Sequence, residues 1–331
     1  MAADEIVIAE GLEKHFGSTM ALSGANLRVT RGTVVGLLGP NGAGKTTMVR
    51  ILATVTRPTG GRASVAGFDV VGQAEQVRHH VALAGQFAAV DEKLTGRENL
   101  RIFCELYHLG TRQARQRADE LLDRFSLTDA ANRLVSTYSG GMRRRLDLAS
   151  SLIVAPPVLL LDEPTTGLDP RGRLEMWESV RRLALEGTTV LLTTQYLDEA
   201  DHLADRIVVI DHGRVIAEGS PGELKSQVGS DHLEVVVGSE GDIEDVADCL
   251  QRVTGLVPTV DHPGQTVAVA LRGSFADLAA VVRELDGSGA AIADLTVRRA
   301  TLDDVFLRLT GRPAAESKEI TSGKPMTEAA R

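Results

Sequence analysis

Over residues 1–228 the apolar positions fall into short, nearly unbroken runs separated by longer stretches of helical spacing. The runs at 34–38, 158–161, 190–194 and 207–210 are rich in Val, Leu and Ile and do not alternate with polar residues. Strands of that kind are buried on both faces, as in a parallel sheet covered by helices. Further strand-like runs stand at 6–9 and 81–84. Apolar residues recur with helical spacing over 46–52, 96–106, 112–125, 142–152 and 173–185, each giving a helix one face to bury. The alternation predicts an α/β domain.

Gly219-Ser220-Pro221-Gly222 interrupts this pattern; a short helix follows, and Gly229-Ser230-Asp231 marks a boundary. Strands are then predicted at 233–237, 266–271 and 291–298, and helices at 243–253, 275–285 and 302–309. Strand and helix alternate throughout, which predicts a separate α+β module of split-βαβ type over 229–310. Residues 311–331 are rich in Pro, Ser, Lys and Glu and poor in apolar residues, so a disordered tail is expected there.

Composition narrows the function. An apolar content of 43% in 331 residues is enough for one large core and one small one. With aromatics at 3%, those cores rest on Leu, Val, Ile and Ala. A formal net charge of −9 argues against a general nucleic-acid binder. Cys104 and Cys249 are far apart and belong to no C-x-x-C pair, so reduced thiols are expected, without a disulfide framework or a zinc site. The opening Met1-Ala2-Ala3-Asp4-Glu5 lacks the basic start and apolar segment of a signal peptide. No stretch approaches the ~18 apolar residues of a membrane helix. The expectation is a cytosolic protein, unless a partner holds it at a membrane.

The chemistry is concentrated in two motifs. Gly39-Pro40-Asn41-Gly42-Ala43-Gly44-Lys45-Thr46 fits G-x-x-x-x-G-K-[ST], and it lies between a strand and a helix, as a phosphate-binding loop requires. Glycines let backbone N–H groups curl round phosphates, and the following helix turns the positive end of its dipole toward the anion. Lys45 is placed for the β- and γ-phosphates and Thr46 for a Mg²⁺ ion. The second motif is the apolar strand that ends in Asp162-Glu163. Asp162 would hold Mg²⁺ through water, and Glu163 would polarise the attacking water.

Tyr138-Ser139-Gly140-Gly141-Met142, at the start of a helix and between these two motifs, closely resembles the signature sequence of ABC ATPases. Other elements align over about residues 5–220. Phe16 resembles the aromatic residue that stacks on adenine. Gln86 resembles the glutamine that senses the γ-phosphate and Mg²⁺ and connects to the membrane partner. Asn41, Gly42, Ala43, Gly44 and Thr47 fall in the phosphate loop and at its exit. Gly167-Leu168-Asp169 resembles the loop that crosses the dimer interface. One position departs from the pattern: Gln195 stands where the family usually has a histidine that contacts the γ-phosphate. An amide keeps a hydrogen-bond donor there but cannot become a cation.

The resemblance implies a P-loop nucleotide-binding domain with a RecA-like core, an antiparallel β-subdomain and a helical subdomain, followed by the small α+β module. It also implies ATP hydrolysis with Mg²⁺. Each ATP would be clamped between residues 39–46 of one chain and Ser139, Gly140 and Gly141 of a second copy, with a separate membrane permease as partner. Glu163, Lys45, Gln195 and Gln86 would serve the reaction. Gln195, the run Ser139-Gly140-Gly141-Met142-Arg143-Arg144-Arg145 and the ending Thr301-Leu302-Asp303-Asp304-Val305-Phe306 are similar to the daunorubicin-resistance type of ATP-binding subunit, from exporters of drugs or complex lipids. Such a subunit would lie peripherally on the cytoplasmic face of the cell membrane. Two other readings are a soluble ABC ATPase outside transport and a nucleotide-binding regulator with little hydrolysis. The first usually carries tandem nucleotide domains or long heptads, which are lacking here; only Gln195 favours the second.

Overall fold

The computed structural model of the chain describes residues 4–85, 89–228, 232–271, 275–298 and 301–310. Residues 311–331, for which a disordered tail is expected, and the boundary at Gly229-Ser230-Asp231 lie outside the described residues.

The chain opens with strands β1 (Glu5–Phe16), β2 (Thr19–Thr30) and β3 (Val34–Leu38), helix α1 (Lys45–Leu52), strands β4 (Gly60–Val65) and β5 (Phe68–Asp69), helix α2 (Ala74–His80) and strand β6 (Val81–Ala84). Helices α3 (Gly96–Leu106), α4 (Thr111–Arg124) and α5 (Gly140–Ser151) follow. After them come β7 (Val158–Asp162), α6 (Pro170–Leu185), β8 (Thr189–Thr194), α7 (Leu197–Leu203), β9 (Arg206–Asp211), β10 (Arg214–Gly219) and α8 (Pro221–Val228). The C-terminal part runs β11 (His232–Val237), α9 (Ile243–Thr254), β12 (Thr259–Asp261), β13 (Thr266–Ala270), α10 (Phe275–Ser288), β14 (Ile292–Arg298) and α11 (Leu302–Thr310).

The central sheet has the order β10-β9-β3-β8-β7-β6 and is parallel except for β10 at one edge. All residues of β3, β7 and β8 are buried, which is why their sequences run apolar without alternation. One face packs with α1 against an antiparallel sheet of order β2-β1-β4-β5, and Leu12, Leu22, Leu27, Leu37, Met48 and Ile51 are fully buried in that layer. The other face packs against α3 to α6, through residues such as Leu100, Leu121, Leu146, Met176 and Val180. The fold is therefore α/β, as the sequence predicts.

The C-terminal strands form an antiparallel sheet of order β12-β13-β11-β14. With α9 and α10 this is a complete βαββαβ unit, one strand richer than the sequence pattern indicates. The additional strand, β12, has three residues and only its middle one is partly buried, so it leaves almost no apolar signature. Helix α11 is seated elsewhere: Leu302, Val305 and Phe306 are buried in one cluster with Leu38, Leu197, Ala200, Ile207 and Leu224 of the N-terminal domain.

Candidate active site

Parallel pairing brings the chemical motifs to one edge of the central sheet. The β3–β8 register sets Leu38 beside Thr194, and the β7–β8 register sets Asp162 beside Thr193. The phosphate loop leaves β3 at that edge, and Gly39 N–H donates to the Thr194 carbonyl at 3.3 Å. Crevices at the carboxyl ends of parallel strands are the usual ligand sites of open α/β sheets. Two glycines in the loop are required by contact. A Cβ at Gly39 would stand 2.2 Å from the Ile210 carbonyl oxygen. At Gly44, where φ is +109°, it would stand 2.5 Å from that of Ala21. No side chain caps the start of α1, so the N–H groups of its first turn are left for an anion.

Lys45 is only 4% exposed and turns back into the loop, donating to the carbonyls of Gly39 at 2.7 Å and Pro40 at 3.0 Å. Burial pulls its ammonium below the usual lysine value, and the nearby carboxylates of Glu163 and Asp162 offset part of that. The Lys45 nitrogen is 3.8 Å from Glu163. Asp162 Oδ1 accepts from the Thr46 hydroxyl at 3.0 Å and from the Thr193 hydroxyl at 2.7 Å. Glu163 has a left-handed backbone, φ 51°, which a non-glycine residue keeps only where its surroundings impose it. Its N–H donates to Thr193 Oγ1 at 3.0 Å, and its carboxylate accepts from the Thr166 hydroxyl at 3.3 Å.

Phe16, Asn41, Gly42, Gly44, Lys45, Thr46, Thr47 and Glu163 line a cleft of ≈ 370 Å³. Phe16 stands on its rim with its ring 53% exposed and the Lys14 nitrogen 4.9 Å from the ring centroid. Ala43 is buried behind the loop. A larger, open cavity of ≈ 570 Å³ lies in the C-terminal unit beside Asp245, Asp248 and Arg252, and it has no element of the phosphate motif.

Of the remaining predicted residues, those that are described do not line the cleft. Gln195 is half-buried immediately after β8. Gln86 lies outside the described residues. Ser139 caps α5, accepting from Met142 N–H at 3.2 Å, and Asp169 caps α6, accepting from Gly172 N–H at 2.9 Å. These two helix starts touch, because Gly141 and Gly172 leave room for close backbone approach. They form a second, separate surface.

A family model described as "ABC transporter" matches residues 22–166, and one described as "ATP-binding protein DrrA1-3-like, C-terminal domain" matches residues 219–310. The daunorubicin resistance ATP-binding protein DrrA2 of Streptomyces coeruleorubidus is 56% identical, over 95% of this chain and 98% of its own. The chain belongs to the daunorubicin-resistance family of ABC transporter ATP-binding proteins. A further ABC ATP-binding protein, the daunorubicin/doxorubicin resistance protein of Streptomyces peucetius, is 49% identical over 92% of both chains. Among solved structures, a dimeric ATP-binding cassette bound to ADP and phosphate superimposes with a TM-score of 0.58 and 26% identity, over 65% of this chain and 98% of that one. As a member of this family the chain is an ATPase.

Some of the groups around this ABC site are absent from the motif reading. Thr193 bridges Asp162 and Glu163; a Thr-Thr pair at the end of an apolar strand was its only sequence signal. Trp177, on α6, donates to the buried Glu199 of α7 at 3.1 Å and ties the helix after Asp169 to the helix after Gln195. Thr46 and Asp162 present hard oxygen donors in direct contact at the cleft floor, a donor set that suits Mg²⁺.

Proposed function

We propose that the chain is the motor subunit of an exporter for a hydrophobic drug or lipid. It would work through a separate membrane permease and be held peripherally at the cytoplasmic face of the membrane. Among the described residues no helix is long and apolar enough to cross a membrane, so a translocation path would have to come from a partner. Curated relatives named for daunorubicin and doxorubicin resistance support the substrate class.

The observation that carries this reading is the division of the site. Lys45, Thr46, Asp162 and Glu163 converge in one cleft, while the cap of α5 at Ser139, Gly140 and Gly141 opens elsewhere on the same chain. ATP would be completed by the α5 start of a second copy, so that nucleotide joins two chains and hydrolysis parts them. Lys45 exchanges the Gly39 and Pro40 carbonyls for phosphate oxygens. Glu163 holds the attacking water and takes its proton, and the loop N–H groups steady the charge on the transferring phosphoryl. Mg²⁺ held by Thr46 and Asp162, when bound, supplies further charge neutralisation.

Glu163→Gln tests this directly. The variant should bind ATP like the wild type, lose at least a hundred-fold in hydrolysis, and elute as an ATP-dependent dimer on size exclusion. Turnover near the wild-type rate, or a monomer at saturating ATP, refutes the division of roles. Co-extraction with a membrane protein in mild detergent, and ATPase activity stimulated by the transported compound, test the exporter assignment.

A further inference from the structure

The run Arg143-Arg144-Arg145 divides three ways. Arg143 pairs with Glu92 at 2.7 Å and Arg145 with Glu175. Arg144 turns inward with its side chain 11% exposed, and it binds backbone. Its Nε donates to the Pro164 carbonyl at 2.9 Å. One terminal nitrogen donates to the Gly85 carbonyl, and the other lies 3.4 Å from both the Asp162 and Glu163 carbonyls. Asp147, one turn further along α5 and 5% exposed, sits 3.6 Å from the Arg144 guanidinium. Its other oxygen accepts from Ala89 N–H at 2.6 Å.

We infer that Arg144, braced by Asp147, is a positioning residue that couples the two ATP sites of the dimer. The inference rests on the shared-site reading above. Ser139 to Gly141 open α5 and would face the partner's ATP; Arg144 lies one turn along the same helix and grips the backbone on both sides of Glu163, which serves the chain's own ATP. A helix is stiff along its axis, so a displacement at its start reaches Arg144. The loop it grips is poised to respond, since Glu163 is held in a left-handed backbone by its surroundings. Guanidinium suits the task because its planar fork donates to several carbonyls at once, whereas an ammonium is a single point donor. ATP arriving in one cleft thereby sets the carboxylate that acts in the other.

The test compares full-length wild type with Arg144→Met, Arg144→Lys and Asp147→Asn, measuring ATP affinity and hydrolysis against ATP concentration. Arg144→Met should keep the ATP Kd within about two-fold, lose about ten-fold or more in kcat, and change from sigmoidal to hyperbolic dependence. Arg144→Lys should regain part of the rate, and Asp147→Asn should fall between. In a Glu163→Gln background, Arg144→Met should still form the ATP-dependent dimer, because the coupling acts on the loop and not on assembly. Sigmoidal kinetics retained by a folded Arg144→Met overturn the coupling, as does failure of the double variant to dimerise. A hyperbolic wild type, or a Glu163→Gln protein that never dimerises, instead overturns the shared-site reading and takes the coupling with it.

Discussion

Glu199 is among the most deeply buried acids of the molecule, and burial lifts its carboxyl above the ordinary value of 4.5, although hydroxyls of Thr194 and Thr165 and the Trp177 indole pull part of the way back. The sign for stability follows from linkage. Below 4.5 the group is neutral in both folded and unfolded chains. As pH rises through that value the unfolded chain ionises first, and the folded state loses ground until the raised value is passed. Glu199→Gln, which can still accept from Trp177, should therefore match the wild type at about pH 4 and exceed it in Tm at about pH 7.5. A variant less stable than the wild type at neutral pH would mean that the charge itself holds α6 to α7. Gln195, four residues earlier, is a neutral amide immediately after β8. A hydrogen bond from it to a charged oxygen is worth about 1.5–3 kcal/mol, so Gln195→Ala should slow steady-state hydrolysis about ten- to a hundred-fold with ATP affinity little changed. A rate within two-fold of wild type would leave Gln195 as a strand terminus only. Lys45, Thr46, Asp162 and Glu163 were legible in sequence because each lies in a contiguous motif. Thr193, Arg144, Asp147 and Glu199 were not, because their meaning arises only when β7, β8, α5 and α7 meet in space.

The span of helix α11 can be read from the sequence, whereas the residues it covers emerge only from the structure. Its periodicity predicts 302–309 and the structure gives Leu302–Thr310, yet the surface it covers belongs to α7, α8 and the β3 and β9 strands. Thr301 and Asp304 form a reciprocal cap at its start, with Asp304 N–H donating to Thr301 Oγ1 at 3.3 Å and Thr301 N–H donating to Asp304 at 2.9 Å. Phe306 is 4% exposed, and truncating a buried Phe costs about 3–5 kcal/mol. Phe306→Ala should lower the thermal midpoint of the nucleotide-binding domain by on the order of 5–10 °C, read as loss of ATP-dependent protection on heating. An unchanged midpoint for that domain would show that α11 is a separable appendage. Buried strands were the most legible elements, since β3, β7, β8 and β9 are apolar on both faces. The β1–β2 hairpin was mostly missed because its exposed face is polar and repeated register shifts break the alternation. Starts of α5 and α6 fall earlier than their apolar spacing suggests, since Ser139 and Asp169 cap them ahead of the first apolar position.

At the scale of the whole molecule, the reading of two half-sites per chain has a measurable form. A mixed dimer of one Lys45→Ala chain and one Ser139→Arg chain should keep a single intact ATP site and about half the wild-type rate, or less if the sites cooperate. Either variant alone should be inactive. A mixed dimer as dead as its parents would contradict the crosswise arrangement. The placement of α11 bears on a different event, the making of the protein. The apolar cluster beside the end of β3 is completed by Leu302, Val305 and Phe306, the last buried apolar residues of the described chain to leave the ribosome. Until they arrive, Leu38, Leu197 and Leu224 have no cover on that side. Contacts between segments so distant in sequence close slowly, and apolar surface exposed meanwhile invites aggregation. The nascent ATPase should thus remain dependent on chaperones until translation ends, and ribosome-bound chains that stop before residue 301 should be cleaved by added protease well inside the first domain, while chains extended past 310 by a linker should resist.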